Sequence, residues 1–201
     1  MNANPVSQAK AALRREMIAR RDAIPATERE SIAAALASAL AGLPAYASAR
    51  TVLATMAIGS EWNTRLFLDR ARADGKAIVL PRITPPPRHL ELHVVPDLDH
   101  DLLPGIWNIP EPNPARCARV EIGDVDFAVV PALCVDYDGY RIGYGAGYFD
   151  RLLAPRTAKT FCAVGLPAAF VVESLPHEAH DQVLDLIVDE RGTRRTRGAK
   201  S

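Results

Sequence analysis

Five short segments of this chain are apolar along almost their whole length, and helical patterns recur in the stretches around them. They are "TVLATMA" (51–57), "AIVLPRI" (77–83), "DFAVVPALCVD" (126–136), "TFCAVGL" (160–166) and "QVLDLIVD" (182–189). A strand with one wet face alternates polar and apolar residues. A strand apolar throughout needs cover on both faces, the signature of a parallel sheet between helices. "HLELHVV" (89–95) does alternate and reads as a half-exposed strand.

Helical patterns supply the cover. "SQAKAALRREMIARRDAI" places Ala9, Leu13, Met17 and Ile24 among basic residues, an amphipathic helix that Pro25 ends. Thr27 stands three residues before Glu30, a capping-box spacing, and predicts a second helix to about Gly42. "NTRLFLDRARADGK" predicts a helix stopping near Gly75, and "YFDRLLA" one that Pro155 stops. "TPPPR" (84–88) is a polyproline turn, and residues 96–124 are rich in loops. The expectation is an α/β fold: one three-layer domain over residues 1–190, with a mostly parallel sheet and helices on both faces. A chain of 201 residues suits one such domain and can bury a core without disulfides.

Charge and cysteine content narrow the partners. The 24 basic and 24 acidic residues balance, but Arg191, Arg194, Arg195, Arg197 and Lys200 crowd the tail from 191 to 201, which has no acid. The tail reads as a disordered, solvated end rather than a nucleic-acid arm, because it has no aromatic residue to stack on bases and the body is net acidic. Arg15, Arg20 and Arg21 read as a solvated stripe. No apolar run is long enough to cross a membrane, and the N-terminal residues lack the apolar stretch of a secretory signal. The three cysteines, at 117, 134 and 162, form no CxxC pair; Cys134 and Cys162 lie in apolar runs as buried thiols. The expectation is a cytoplasmic monomer acting on a small molecule, with no nucleic-acid or membrane partner.

The stretch "RIGYGAGYFDRLL" (141–153) carries the chemistry. Gly143, Gly145 and Gly147 allow positive φ and let a ligand approach the backbone. Loop amides that lead into a helix suit a phosphate. The GxGxG spacing is not GxGxxG, so a Rossmann site is not expected, and no GxxxxGK[ST] occurs. Arg141 can neutralise phosphate and Asp150 can hold magnesium, although Asp150 also suits the first turn of a helix on dipole grounds alone. "HEAHD" (177–181) fails the HExxH spacing of a zinc helix and reads as a polar loop.

"DYDGYRIGYGAGYFDRLL" (136–153) resembles the signature of the 5-formyltetrahydrofolate cyclo-ligases, also called 5,10-methenyltetrahydrofolate synthetases. "KAALR" (10–14), "MAIGSEWNT" (56–64), "VLPRI" (79–83) and "GIWNIPEP" (105–112) are similar to further family segments, in the family's order. The resemblance implies ATP as co-substrate, Mg2+, and 5-formyltetrahydrofolate converted to 5,10-methenyltetrahydrofolate through an N5-iminium phosphate. It implies Lys10, Arg14, Arg141 and the loop Gly143, Tyr144, Gly145, Ala146, Gly147 and Tyr148 on the nucleotide. Gly145, Gly147 and Tyr148 would also meet the folate, with Met56, Glu61 and Trp107. Asp150 and Asp181 would hold the metal. Arg141 and Glu61 would matter most for catalysis, and Arg82 is a weaker phosphate or carboxylate candidate. Some members carry a lysine where this chain has Ala146, which raises the weight on Arg141 and Lys10. Two other readings remain. One is an enzyme on the same scaffold acting on another formylated or phosphorylated small molecule. The other is a protein that binds nucleotide or RNA without turnover.

Overall fold

The computed structural model describes residues 4–199. Five helices run in chain order: α1 Pro5–Asp22, α2 Ala26–Ala41, α3 Pro44–Ser48, α4 Arg65–Ala73 and α5 Tyr148–Leu153. The strands are β1 Thr51–Leu53, β2 Ala77–Ile83, β3 Leu90–Val94, β4 Leu102–Pro104, β5 Pro110–Pro112, β6 Arg119–Val120, β7 Phe127–Val129, β8 Cys134–Asp136, β9 Arg141–Ile142, β10 Phe161–Gly165, β11 Val171–Val172, β12 Leu186–Asp189 and β13 Gly192–Arg195.

The main sheet has eight strands in the order β13-β12-β10-β7-β1-β2-β3-β6. The central strands β12, β10, β7, β1 and β2 are parallel, and the flanks β13, β3 and β6 are antiparallel. Side chains alternate between two cores, as the apolar runs require. Val52, Phe127, Ala163 and Leu186 join one with Tyr46, Phe67 and Leu68 from α3 and α4. Leu53, Ala128, Cys162 and Ile187 join the other with Met17 of α1, Leu153 of α5 and the small sheet β11-β8-β9. The expected mostly parallel α/β fold is what forms.

Several local expectations change. "TVLATMA" is a strand only as far as Leu53; Thr55, Met56 and Ile58 lie beyond the strand and line a cleft. α2 starts at Ala26 on Pro25, without a side-chain cap, so Thr27 lies inside the helix and forms no capping box. The tail is not a disordered end over its described part. Gly192–Arg195 pair with β12, Thr196 is buried, and its hydroxyl donates to the Leu184 carbonyl. The guanidiniums of Arg194 and Arg197 lie over the Tyr137 ring, 4.5 and 5.7 Å from its centre. An unpaired edge beside β12 attracts whatever chain can hydrogen-bond to it, which composition alone does not register. Lys200 and Ser201 lie outside the described residues.

The chain order fixes where a ligand fits. From β1 it steps to β2 on one side, then returns to β7 on the other side before β10 and β12. Such a reversal leaves a crevice at the carboxyl ends of the two diverging strands. Thr55 and Met56 follow β1, and Pro131 and Ala132 follow β7; all four line the principal cleft.

Candidate active site

The cleft has a volume of about 340 Å³. One wall is charged. Lys10 on α1 is buried, with Nζ 2.5 Å from Asp181 Oδ2 and 3.1 Å from Glu178 Oε2. One turn on, Arg14 donates Nε to the Gly143 carbonyl at 2.8 Å. The side chain of Arg141 is 4% exposed; it pairs with Asp150 Oδ1 at 3.1 Å and donates to the Gln182 carbonyl. Asp150 Oδ1 also accepts from the Gln182 amide, and Asp181 Oδ2 from the Glu178 amide.

These contacts set the ionisation. Burial pulls the Lys10 pKa down, but hydrogen bonds to Asp181 and Glu178 outweigh it and the net shift is upward. Burial pushes Asp181 up, and the bond from Lys10 with the Glu178 amide brings it below the usual carboxylate range. Burial lowers Arg141 against the opposing charge of Asp150, yet a guanidinium keeps its proton in proteins.

The glycine loop is shaped by Arg14. Gly145 has φ +101°, and a Cβ there would sit 2.9 Å from Arg14 Cζ. Gly147, at φ +65°, starts α5. Because α5 spans only six residues, the positive field at this end comes from Arg14 and Arg141 more than from a helix dipole. Ala146 and Tyr148 also line the cleft, and the Arg151 guanidinium lies 5.3 Å from the centre of the Tyr148 ring.

The other wall is largely apolar: Met56, Ile58, Leu80, Ile83, Ile109 and Pro131. Glu61 projects from it, with Oε2 held by the Ile58 amide at 3.0 Å. Trp107 is 64% exposed at the rim. Its φ of 58° is left-handed, a conformation that strains a bulky side chain, and Asn108 shares it. Arg82, on β2, donates only a long 3.5 Å contact to the Pro112 carbonyl.

Of the residues expected at the site, Lys10, Arg14, Met56, Glu61, Trp107, Arg141, the loop from Gly143 to Tyr148, Asp150 and Asp181 line this one cleft, and the weaker candidate Arg82 does not. Three others were not anticipated. Glu178 shares Lys10 with Asp181. Glu111 is buried and lines the apolar wall; burial drives its pKa up, against the Ile83 and Ile106 amides and Arg82. The "GIWNIPEP" run contains it, and Gly105 in that run makes room for it, since a Cβ there would lie 2.2 Å from the Glu111 carboxyl carbon. Arg21, expected on a solvated stripe, is 5% exposed. It donates to Ser60 and Tyr144, from two distant segments, so no local pattern could mark it.

Among the described residues no group of three or more His, Cys, Asp or Glu side chains could cage a metal. Magnesium does not need one: it takes one or two carboxylates and fills its shell with water and substrate phosphates. Asp150 and Asp181 fit that need, each committing one named oxygen to protein donors.

A switch-point cleft with a cationic wall facing an apolar one defines an α/β protein built for a small ligand, anionic at one end and ring-like at the other. The chain belongs to the 5-formyltetrahydrofolate cyclo-ligase family, whose profile matches residues 6–190. It is 32% identical over 190 residues to the 5-formyltetrahydrofolate cyclo-ligase of Mycolicibacterium smegmatis, covering 92% of this chain and 96% of that protein. The mouse 5-formyltetrahydrofolate cyclo-ligase is 25% identical over 198 residues, covering 94% and 98%. The solution structure of Aquifex aeolicus 5,10-methenyltetrahydrofolate synthetase superposes with a TM-score of 0.82 at 30% identity, covering 96% of this chain and 95% of that one. No helix among the described residues is long and apolar enough to cross a membrane.

Proposed function

We propose that this protein converts 5-formyltetrahydrofolate to 5,10-methenyltetrahydrofolate in the switch-point cleft, using ATP and Mg2+. The formyl oxygen attacks the γ-phosphorus and ADP leaves. N10 then attacks the activated formyl carbon and gives up its proton, and the C–O bond breaks to release phosphate, which can carry that proton away, as the ring closes. Both steps depend on positioning and on neutralising phosphate charge rather than on a protein nucleophile.

The observation that carries this reading is the juxtaposition of the two walls. Lys10, Arg14 and Arg141 converge beside the glycine loop, where phosphate oxygens would meet three cations and the loop amides. Across the cleft, Met56, Trp107 and Glu61 offer an apolar bed, an aromatic edge and a carboxylate. A carboxylate accepts the paired N–H donors of a 2-amino-4-oxopyrimidine, and the rings bury apolar surface. Gly145, Gly147 and Tyr148, which line the cleft, would meet both ligands. Asp150 and Asp181 would hold magnesium, which supplies charge neutralisation across the phosphates when bound. Lys10 is already committed to Asp181 and Glu178, so nucleotide binding would involve an exchange of partners there. Ala146 contributes no charge, which leaves the transferring phosphoryl group to Arg141 and Lys10. Three free, buried thiols suit a reducing cytoplasm.

The test is methenyl-product absorbance with 5-formyltetrahydrofolate and Mg2+, with and without ATP, beside Asp150→Asn. ATP-dependent product that is lost in the variant is the expected result. A folded protein that binds ATP and makes no product would overturn the folate assignment.

A further inference from the structure

Arg21 is the most buried arginine of α1, and the proposed chemistry gives it no role. It is 5% exposed, yet it touches no carboxylate at ion-pair distance in its hydrogen bonds: Nε donates to Ser60 Oγ at 2.9 Å and Nη2 to the Tyr144 hydroxyl at 2.8 Å. The guanidinium also lies 5.9 Å from the centre of the Tyr144 ring. The Ser60 hydroxyl in turn donates a hydrogen bond to Asp22 Oδ1, one residue along α1. A guanidinium buried for stability alone would be expected to sit on a carboxylate or on backbone carbonyls. This one spends its donors on a half-exposed tyrosine of the glycine loop and on a serine next to Glu61.

We infer that Arg21 is a positioning residue that ties Tyr144 of the glycine loop to Ser60 of the β1 loop, next to Glu61, so that the two loops present one preformed pocket for the ring end of the substrate. The chain of donors runs one way. Arg21 has no acceptor, so it must donate to the Tyr144 oxygen. That leaves the phenolic proton for an acceptor in the cleft, which Glu61 also lines. Burial, with the Glu61 charge adding to it, pushes the phenol up to about 12, so Tyr144 is a donor throughout the neutral range. The Ile58 amide holds the Oε2 of Glu61. A carboxylate held by an amide, on a loop tied through Ser60 and Arg21 to Tyr144, has less room to swing in the cleft. A fixed acceptor binds a planar donor pair better than a mobile one because less freedom is lost on binding.

The inference rests on the proposed function and is tested with a double-mutant cycle. Wild type, Arg21→Met, Tyr144→Phe and the double variant are compared for the folate KM, the ATP KM and direct calorimetric binding of the folate substrate. Each single change is expected to raise the folate KM and Kd about fivefold to tenfold, clearly more than it raises the ATP KM. The double variant should be no worse than the poorer single one, because both remove the same link. Arg21→Lys, which can reach one partner but not fork between two, should recover part of the loss. Arg21→Met removes a buried charge and can fail to fold; Tyr144→Phe deletes only a half-exposed hydroxyl and keeps the question open to decision. Additive effects in the cycle, a matching rise in the ATP KM, or a Tyr144→Phe folate KM equal to wild type would each overturn the inference. A wild-type protein without turnover would overturn the proposed function itself, and the wild-type arm of the same assay reads that outcome.

Discussion

The two walls of the cleft solve the placing of charge in opposite ways. On the cationic wall every principal charge already has a partner: Lys10 with Asp181 and Glu178, Arg141 with Asp150. On the apolar wall Glu111 is buried with only backbone amides and a more distant Arg82 to offset its desolvation, and Trp107 is exposed with a strained backbone. The contrast teaches that the first wall is stable without ligand and must reorganise to bind one. The second is held in a costly arrangement that a ligand can use at once. Such strain at a cleft is a recurrent sign of preorganisation.

The largest break in the contrast should come from the cationic wall. Arg141→Met is expected to cut turnover by roughly 10²–10³-fold, the usual loss when a preorganised charge aimed at the reacting group is removed. It should also lower Tm, because Asp150 loses its buried partner. Adding Asp150→Asn should recover part of the Tm and none of the activity. A double variant as unstable as Arg141→Met would show that the pair is not the unit.

Glu61→Gln acts on the opposite wall and should separate the two substrates. Loss of a charge-assisted acceptor is expected to raise the folate KM about tenfold, with the ATP KM unchanged. An equal rise in both would mean that Glu61 shapes the whole cleft rather than one ligand.

Trp107→Gly should sharpen the contrast further. Glycine takes φ 58° without the steric strain a bulky side chain meets. Because Trp107 is 64% exposed, little core is lost. Thermal melting should therefore show Tm unchanged or slightly raised, while calorimetry shows several-fold weaker folate binding, since a stacked aromatic is worth about 0.5–1.5 kcal/mol. A large drop in Tm would make Trp107 a packing residue.

The same two walls differ in how far the sequence revealed them. The cationic wall was legible because Arg141 to Asp150 sit in one glycine-rich run, and because the family resemblance marked Lys10, Arg14 and Asp181. The central strands were legible because burial on both faces leaves an unbroken apolar run. Glu111, Glu178 and Arg21 were not, because each matters through a partner far along the chain: Glu111 through Ile83, Glu178 through Lys10, and Arg21 through Ser60 and Tyr144. β13 was misjudged for a related reason. Its composition is that of a solvated tail, and only the free edge of β12 makes it a strand. β1 ends earlier than the apolar run because Met56 and Ile58 are apolar for the sake of the cleft, not the sheet.

The smallest effect is the most direct comparison of the walls, since it sets two carboxylates of one cleft against each other. Asp181 is held below its ordinary value of 3.8, whereas Glu111 is raised above 4.5. For Asp181 the folded state releases its proton more easily than the unfolded chain. Its stabilisation is therefore complete above pH 3.8 and disappears as pH falls through the folded pKa. For Glu111 the folded state holds the proton longer, so stability falls as pH rises from 4.5 to the folded pKa and then levels off. Tm of wild type, Asp181→Asn and Glu111→Gln measured from about pH 3 to about pH 8 should show this as two opposed curves. The advantage of wild type over Asp181→Asn should grow with pH, and that over Glu111→Gln should shrink. Each kcal/mol should appear as about 2–4 °C for a chain of this size. Parallel curves would mean that the amides of Ile83 and Ile106 outweigh burial at Glu111, and that the apolar wall stabilises its charge as fully as the cationic one.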